Sequence, residues 1–174
     1  GKLYVGLMRD GLNIYEEGGK FLERISNELY PGKFPGNDLG AISRENADHL
    51  WLHFADMHIG LFNVQNKGFQ DLTGKVTALG LPQQRDPFPF LFKRANGELY
   101  FNYGGYLLLF NNDAKGYNVA VVHNVTEEIL TCYFEDYMNN QYVGTKSALY
   151  VKSAGDARWK YVPMPSGTMV KSIN

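Results

Sequence analysis

The chain has 174 residues, enough for one domain with a sizeable core, and a formal net charge of −1 with acidic and basic residues interspersed. That balance gives no reason to expect a nucleic acid or a charged membrane surface as partner. An aromatic fraction of 14% suits a β-rich core and argues against disorder, and the single Cys132 excludes an intrachain disulfide.

Residues 1–27 open with LYVGLMRDGLNIY from Leu3, two apolar runs about the turn pair Asp10-Gly11. They are expected to supply the second, third and fourth strands of a first sheet. Residues 36–74 carry a full set. Asp38–Ser43 is a short strand, Leu50–Phe54 and Ile59–Val64 form a hairpin about Ala55–His58, and Phe69–Thr73 is a more polar outer strand. Residues 86–124 repeat the order with Phe88–Phe92, Glu98–Tyr103, Leu107–Phe110 and Tyr117–His123. Residues 128–163 repeat it again with Ile129–Glu135, Gln141–Thr145, Ala148–Lys152 and Trp159–Val162. Cys132 falls inside one of these runs and reads as a small buried hydrophobe. Aligned aromatics at Tyr4, Trp51, Tyr100 and Tyr142 lie about 47, 49 and 42 residues apart, and Leu12, Leu61, Leu108 and Leu149 give nearly the same steps.

Four short antiparallel strands per period of ~40–45 residues predict an all-β fold of β-propeller blades: four four-stranded repeats in one module over residues 1–174. A sandwich or β-helix is the alternative. It is disfavoured because Leu50-Trp51-Leu52, Leu99-Tyr100-Phe101 and Leu107–Phe110 are continuously apolar, as strands packed on both faces must be. The connections at Glu28–Asn37 and Gly80–Pro89 are proline-bearing loops. Residues 167–174, GTMVKSIN, match the first-strand position of a following blade. Paired beside Leu3–Leu7 they would close a four-bladed ring; otherwise the chain is an arc or fragment whose edges meet further blades or another copy of itself. Gly1-Lys2 runs straight into a core strand, so the chain is read as a piece of something longer. The densest apolar stretch, Tyr106–Phe110, is far short of the ~20 residues that a membrane span needs, and no stretch reads as a signal peptide.

Asp48-His49-Leu50-Trp51-Leu52 with Ile59-Gly60-Leu61-Phe62, and Leu3-Tyr4-Val5-Gly6 with Asp10-Gly11-Leu12-Asn13, resemble the two-component regulator propeller repeat. Gln141-Tyr142-Val143-Gly144-Thr145 with Ala148-Leu149-Tyr150 is a further degenerate copy, and the likeness runs through essentially the whole chain. The resemblance implies a piece of the periplasmic sensor region of a hybrid two-component system, where such propellers precede a membrane span, a histidine kinase and a response regulator. Many members of that family are similar to sensors of oligosaccharides.

The sequence contains no nucleophile elbow, phosphate loop, dinucleotide fingerprint or zinc-spaced cysteine–histidine cluster, and no cofactor or metal is expected. His49 and His53 lie about 13 Å apart along a strand at ~3.3 Å per residue, too far to share a metal. His53 and His58 flank a turn, where polar decoration is the expected role. The acid pairs Glu16-Glu17, Glu127-Glu128 and Glu135-Asp136 place neighbours on opposite strand faces, so none is a facing acid–base couple. A non-catalytic binding module is therefore expected. Its ligand-binding face is formed by the turns between second and third strands and the loops between blades. That face carries Arg9, Asp56, His58, Tyr103, Tyr106 and Lys146, with Gln83, Gln84 and Arg85 from a loop, and these side chains suit an oligosaccharide ligand. A propeller-fold lyase or glycosidase using Asp56 or His58, and a purely structural scaffold arc, are the alternatives.

Overall fold

The computed structural model describes residues 1–82, 87–114, 116–165 and 168–173. The chain divides into two compact units, Gly1–Leu91 and Phe92–Asn174.

The first unit holds two antiparallel sheets. β1 (Lys2–Leu7), β2 (Gly11–Glu16) and β3 (Phe21–Ile25) make a three-stranded sheet in that order. β4 (Leu39–Arg44), β5 (His49–Phe54), β6 (Ile59–Asn63) and β7 (Phe69–Asp71) make a four-stranded one. Both are meanders, each strand pairing with its chain neighbour, and Trp51 lies opposite Leu61 in the central hairpin. A helix of one turn, α1 (Thr73–Thr77), follows β7 where the sequence reading had only strand and loop; it buries Val76.

The second unit repeats the plan. β8 (Leu91–Lys93), at the division between the units, β9 (Leu99–Tyr103), β10 (Tyr106–Asp113) and β11 (Gly116–Asn124) form one sheet. β12 (Leu130–Glu135), β13 (Gln141–Thr145), β14 (Ala148–Lys152) and β15 (Lys160–Pro163) form the other. The all-β expectation of blade-like sheets holds, with three strands in the first sheet and four in each of the rest.

Burial explains the apolar runs. Every residue of β9 is buried, and in β5 all but His49. The core of the first unit gathers Leu12, Ile14, Ile25, Leu39, Leu50, Leu52, Phe54, Phe62 and Val64 around Phe34. Phe34 belongs to the proline-bearing loop between the two sheets and is only 1% exposed. Its ring meets Phe54 at 5.3 Å, Phe62 at 5.9 Å and Phe69 at 6.5 Å, all edge-to-face, the arrangement that aromatic quadrupoles favour.

The segment 167–174 differs from its expected strand. Among its described residues, 168–173, none lies in a strand. Val170 is instead held against its own unit: its amide donates to the Thr145 carbonyl at 3.2 Å and its carbonyl accepts from the Thr131 hydroxyl. Gly144 makes the close approach feasible, since a Cβ there would sit 2.7 Å from Val170 Cγ1 and 2.6 Å from Cys132 Sγ. Single bonds of this kind cannot extend a ladder. Cys132 itself is buried, as expected, and burial pushes its thiol pKa up.

Two outcomes follow from this core. Phe34→Ala removes three edge-to-face partners at once and is expected to destabilise the first unit by about 3–5 kcal/mol, read from a urea unfolding midpoint. His53 is fully buried, and burial depresses its imidazole from 6.5 to about 4, against a weak opposing bond to the Phe90 carbonyl at 3.4 Å. The unfolded state therefore takes up the proton first. Stability is full above pH 6.5 and falls as pH drops, by about 3 kcal/mol at pH 4. His53→Gln is expected to flatten that slope in urea titrations run from pH 7 to pH 4.

Candidate functional site

An antiparallel meander places successive turns at opposite ends of a sheet, so each four-stranded sheet has the turn between its second and third strands at one end and its other two turns at the other. In the first unit the former end carries two turns. Met8–Asp10 joins β1 to β2, and Arg9 takes a left-handed φ of 66° in it. Ala55–His58 joins β5 to β6, with Met57 at φ 80°. Asp38, just before β4, ties the turns together: its carboxylate accepts the Arg9 amide at 2.9 Å and its carbonyl the Ala55 amide at 2.9 Å. Arg9, Asp56 and His58 are thus brought to one end of this unit, with the Arg9 side chain exposed.

His58 is the chemical centre of that end. Its Nδ1 lies 3.1 Å from Asp56 Oδ1 and its Nε2 4.0 Å from Asp71 Oδ2. Asp71 is set by β7 and by the Thr73 amide, which donates to its Oδ1 at 2.8 Å. The half-exposed imidazole is thus flanked by two carboxylates. The Asp56 carboxylate beside Nδ1 raises its pKa above the ordinary value, outweighing the burial that opposes it. Burial alone would raise the Asp56 carboxyl, but the His58 bond and charge hold it below its usual value.

The second unit builds its equivalent end from Gly104-Gly105, between β9 and β10, and Lys146-Ser147, between β13 and β14. Gly104 supplies a φ of 59°, and no side chain fits at Gly105, where a Cβ would stand 1.9 Å from the Thr126 carbonyl. The segment Thr126–Glu128 plays the role that Asp38 has in the first unit. It abuts Gly105, while Glu128 Oε1 accepts the Ser147 hydroxyl at 2.6 Å. That bond holds the Glu128 carboxyl below its usual value.

Lys146 is exposed and Tyr106 half-buried on these turns. Tyr103 is not on the surface: it is 1% exposed, its hydroxyl has no hydrogen-bond partner, and burial raises its pKa. β9 is covered on both sides up to its last residue, so a tyrosine at that position turns inward. Gln83, Gln84 and Arg85 lie outside the described residues.

The opposite end of the second unit carries a cluster that the sequence reading did not single out. Arg94 donates through Nε to Glu135 Oε2 at 2.8 Å and through Nη1 to Glu98 Oε2 at 2.8 Å, with Nη2 also 2.7 Å from Glu135 Oε2. Its guanidinium lies 4.6 Å over the Tyr100 ring, which stacks on Tyr133 at 5.5 Å. Nothing in the sequence pattern marks this cluster, because Glu135 comes from a different sheet. Among the described residues no group of three or more His, Cys, Asp and Glu side chains is arranged to hold a metal ion, and no helix is long and apolar enough to cross a membrane.

No family model matches the sequence, and no curated protein matches it. Solved structures do. The extracellular domain of BT3049 from B. thetaiotaomicron, assigned to a hybrid two-component system, superposes with a TM-score of 0.74 at 12% identity, over 96% of this chain and 23% of that one. The extracellular domain of BT4673 from the same organism gives 0.66 at 12% identity, over 98% and 23%. PorZ of Porphyromonas gingivalis, a surface component of the type-IX secretion system, gives 0.60 at 16% identity, over 91% and 25%. The chain spans about a quarter of the length of each. At these identities the likeness is one of fold, and it agrees with the blade-like sheets described above.

His58 gives the first unit a second pH response, opposite in sign to that of His53. A raised imidazole contributes stability that is fully present below its ordinary value near 6.5 and is lost as pH rises through the folded-state value. NMR titration of the His58 ring is expected to give a midpoint above 6.5. Asp56→Asn should lower that midpoint clearly and Asp71→Asn less, following the two distances.

Proposed function

We propose that this chain is a ligand-recognition part of the extracytoplasmic, periplasmic sensor region of a two-component signalling protein, that its ligand is an oligosaccharide, and that it is not itself catalytic. The observation that carries the reading is the structural match of 96% of the chain to the extracellular domain of a two-component system. The chemistry of the turn ends supports it. Arg9, Asp56 and His58 in the first unit, and Tyr106 and Lys146 in the second, offer cations, a carboxylate, an imidazole and an aromatic ring, the groups that hold sugar hydroxyls and pyranose faces. Gln84 and Arg85 belong to the same reading as loop residues. Further blades of a parent protein carrying a histidine kinase, or a second copy of this chain, are the proposed macromolecular partners. Nucleic acid, direct membrane contact and a cofactor have no part in it.

A second reading has one specific observation in its favour. A half-exposed histidine flanked by two carboxylates and held above its ordinary pKa is suited to proton transfer, as a saccharide lyase or glycosidase requires. Both readings are tested by incubating the chain with a panel of oligosaccharides while following binding by calorimetry and products by chromatography. Binding without product formation is expected. Turnover that disappears in His58→Ala would replace the sensor reading with the enzymatic one.

A further inference from the structure

An open cavity of the second unit lies at the end opposite the turns just discussed. One lobe of about 580 Å³ is walled by Phe92, Arg94, Asn96, Glu135 and Asn139, among others. A second lobe of about 470 Å³ is walled by Gln141, Lys152, Ser153 and Asp156, among others. The lobes share Arg94 and Asn139 as walls, so they adjoin along one groove-like face. Each has the volume of a small-ligand site. We infer that this groove is a subsite for a neutral oligosaccharide, with Tyr137 as its stacking platform and the Asn139 and Gln141 amides as its hydrogen-bonding groups. The inference rests on the oligosaccharide reading above and places recognition at a different end of the blades.

Charge excludes the obvious alternative. A groove that contains an arginine invites an anion, but this guanidinium already faces two carboxylates and an aromatic ring. Across both lobes the cationic side chains Lys93, Arg94 and Lys152 are matched by Glu135, Asp136 and Asp156. Such a lining has no net attraction for a sulfate, phosphate or uronate, yet it presents donors and acceptors in alternation, as a run of hydroxyls requires.

The polar groups also have capacity to spare. Gln141 Oε1 is buried and has no hydrogen-bond partner, an omission that costs free energy until a donor arrives. Tyr137, at the tip of the turn that carries Asp136 and Asn139, is 93% exposed, with Met138 beside it also exposed. An aromatic ring so placed contributes little to folding but offers a face to the C–H side of a pyranose.

The walls are fixed in advance. The Asp136 carboxylate accepts the Met138 and Asn140 amides at 2.9 Å each, the Asn140 side-chain amide at 2.8 Å and the Tyr142 hydroxyl at 3.1 Å. Asn140 Oδ1 in turn accepts the Ala154 amide at 2.9 Å, tying the turn before β13 to the one after β14. The backbone that carries Tyr137, Asn139 and Gln141 is thus held in place before a ligand arrives, which lowers the cost of binding.

The test is calorimetry on the full chain with cellohexaose, xylohexaose, maltohexaose and arabinohexaose as neutral probes and hexagalacturonate as the acidic one. Tyr137→Ala removes an exposed ring, and Asn139→Gly removes an amide at a φ of 62° that glycine adopts more readily, so both variants are expected to melt as the parent chain does. The expected result is binding of at least one neutral hexasaccharide, weakened tenfold or more by each variant. Binding that both variants keep at full strength while Asp56→Ala abolishes it would overturn the groove and leave the oligosaccharide reading standing. A preference for hexagalacturonate over every neutral probe would overturn the neutral chemistry assigned here. Failure of all five probes to bind would overturn both readings together.

Discussion

A strand covered on both faces admits a polar side chain only where a partner waits for it, and most of this chain follows from that constraint. β5 and β9 are buried almost end to end, so their sequences are nearly unbroken apolar runs. The few polar residues inside are informative. Asn102 is fully buried and donates to the Leu130 carbonyl at 3.1 Å, joining the two sheets of the second unit where β12 begins. His53 stays neutral near physiological pH because a charge there would have to leave water entirely. Trp51 places its indole in the core yet sends Nε1 to Glu45 at 2.7 Å. With the strand interiors occupied in this way, groups available for recognition lie in the turns and at the strand ends beside them.

How the turns are held is common to both units. In each, a residue or short segment just before the first strand of a sheet reaches the turns gathered at one end of the unit. Asp38 does so before β4, and Thr126–Glu128 before β12. A turn that borrows its hydrogen bonds from the next connection is positioned by the packing of two sheets rather than by its own residues. This explains why left-handed backbone is tolerated at Arg9 and Met57, where no glycine relieves it.

Legibility in the sequence divides along the same line. The strands were readable because two-sided burial writes itself as apolar runs, and Asp10-Gly11 and Gly104-Gly105 announce tight turns by their own backbone preferences. Features that depend on distant residues were not readable. Phe34 looks like part of a polar, proline-rich loop, and only the folded chain shows that it fills the space beside Phe54, Phe62 and Phe69. The segment 168–173 has a strand's composition but meets the fourth sheet through isolated bonds of Val170. Of the candidate site, Arg9, Asp56 and His58 were legible as turn residues, whereas Tyr103 misled because its place at a strand end hid its burial. Arg94 was silent because Glu135 lies 41 positions away.

The two ends singled out for recognition differ in a way that bears on what each can sense. At the first unit's turns the decisive group is an imidazole whose charge changes close to neutrality, with carboxylates arranged to favour its protonated form. A ligand held there meets a different charge on either side of that transition. At the groove of the second unit, charged side chains are held in their ionised forms by their own neighbours instead. Asn140 holds the Asp136 carboxyl of the wall below its usual value, and beside the groove the Asn96 amide and Arg94 do the same for Glu98. Paired carboxylates stabilise Arg94 as the cation in spite of partial burial. Recognition in that groove is assigned to amide and hydroxyl groups, which carry no charge to change near neutrality. Fold alone places no such difference between the units, since both are built from the same meander. It arises from which side chains the turns carry and which partners the neighbouring connection supplies.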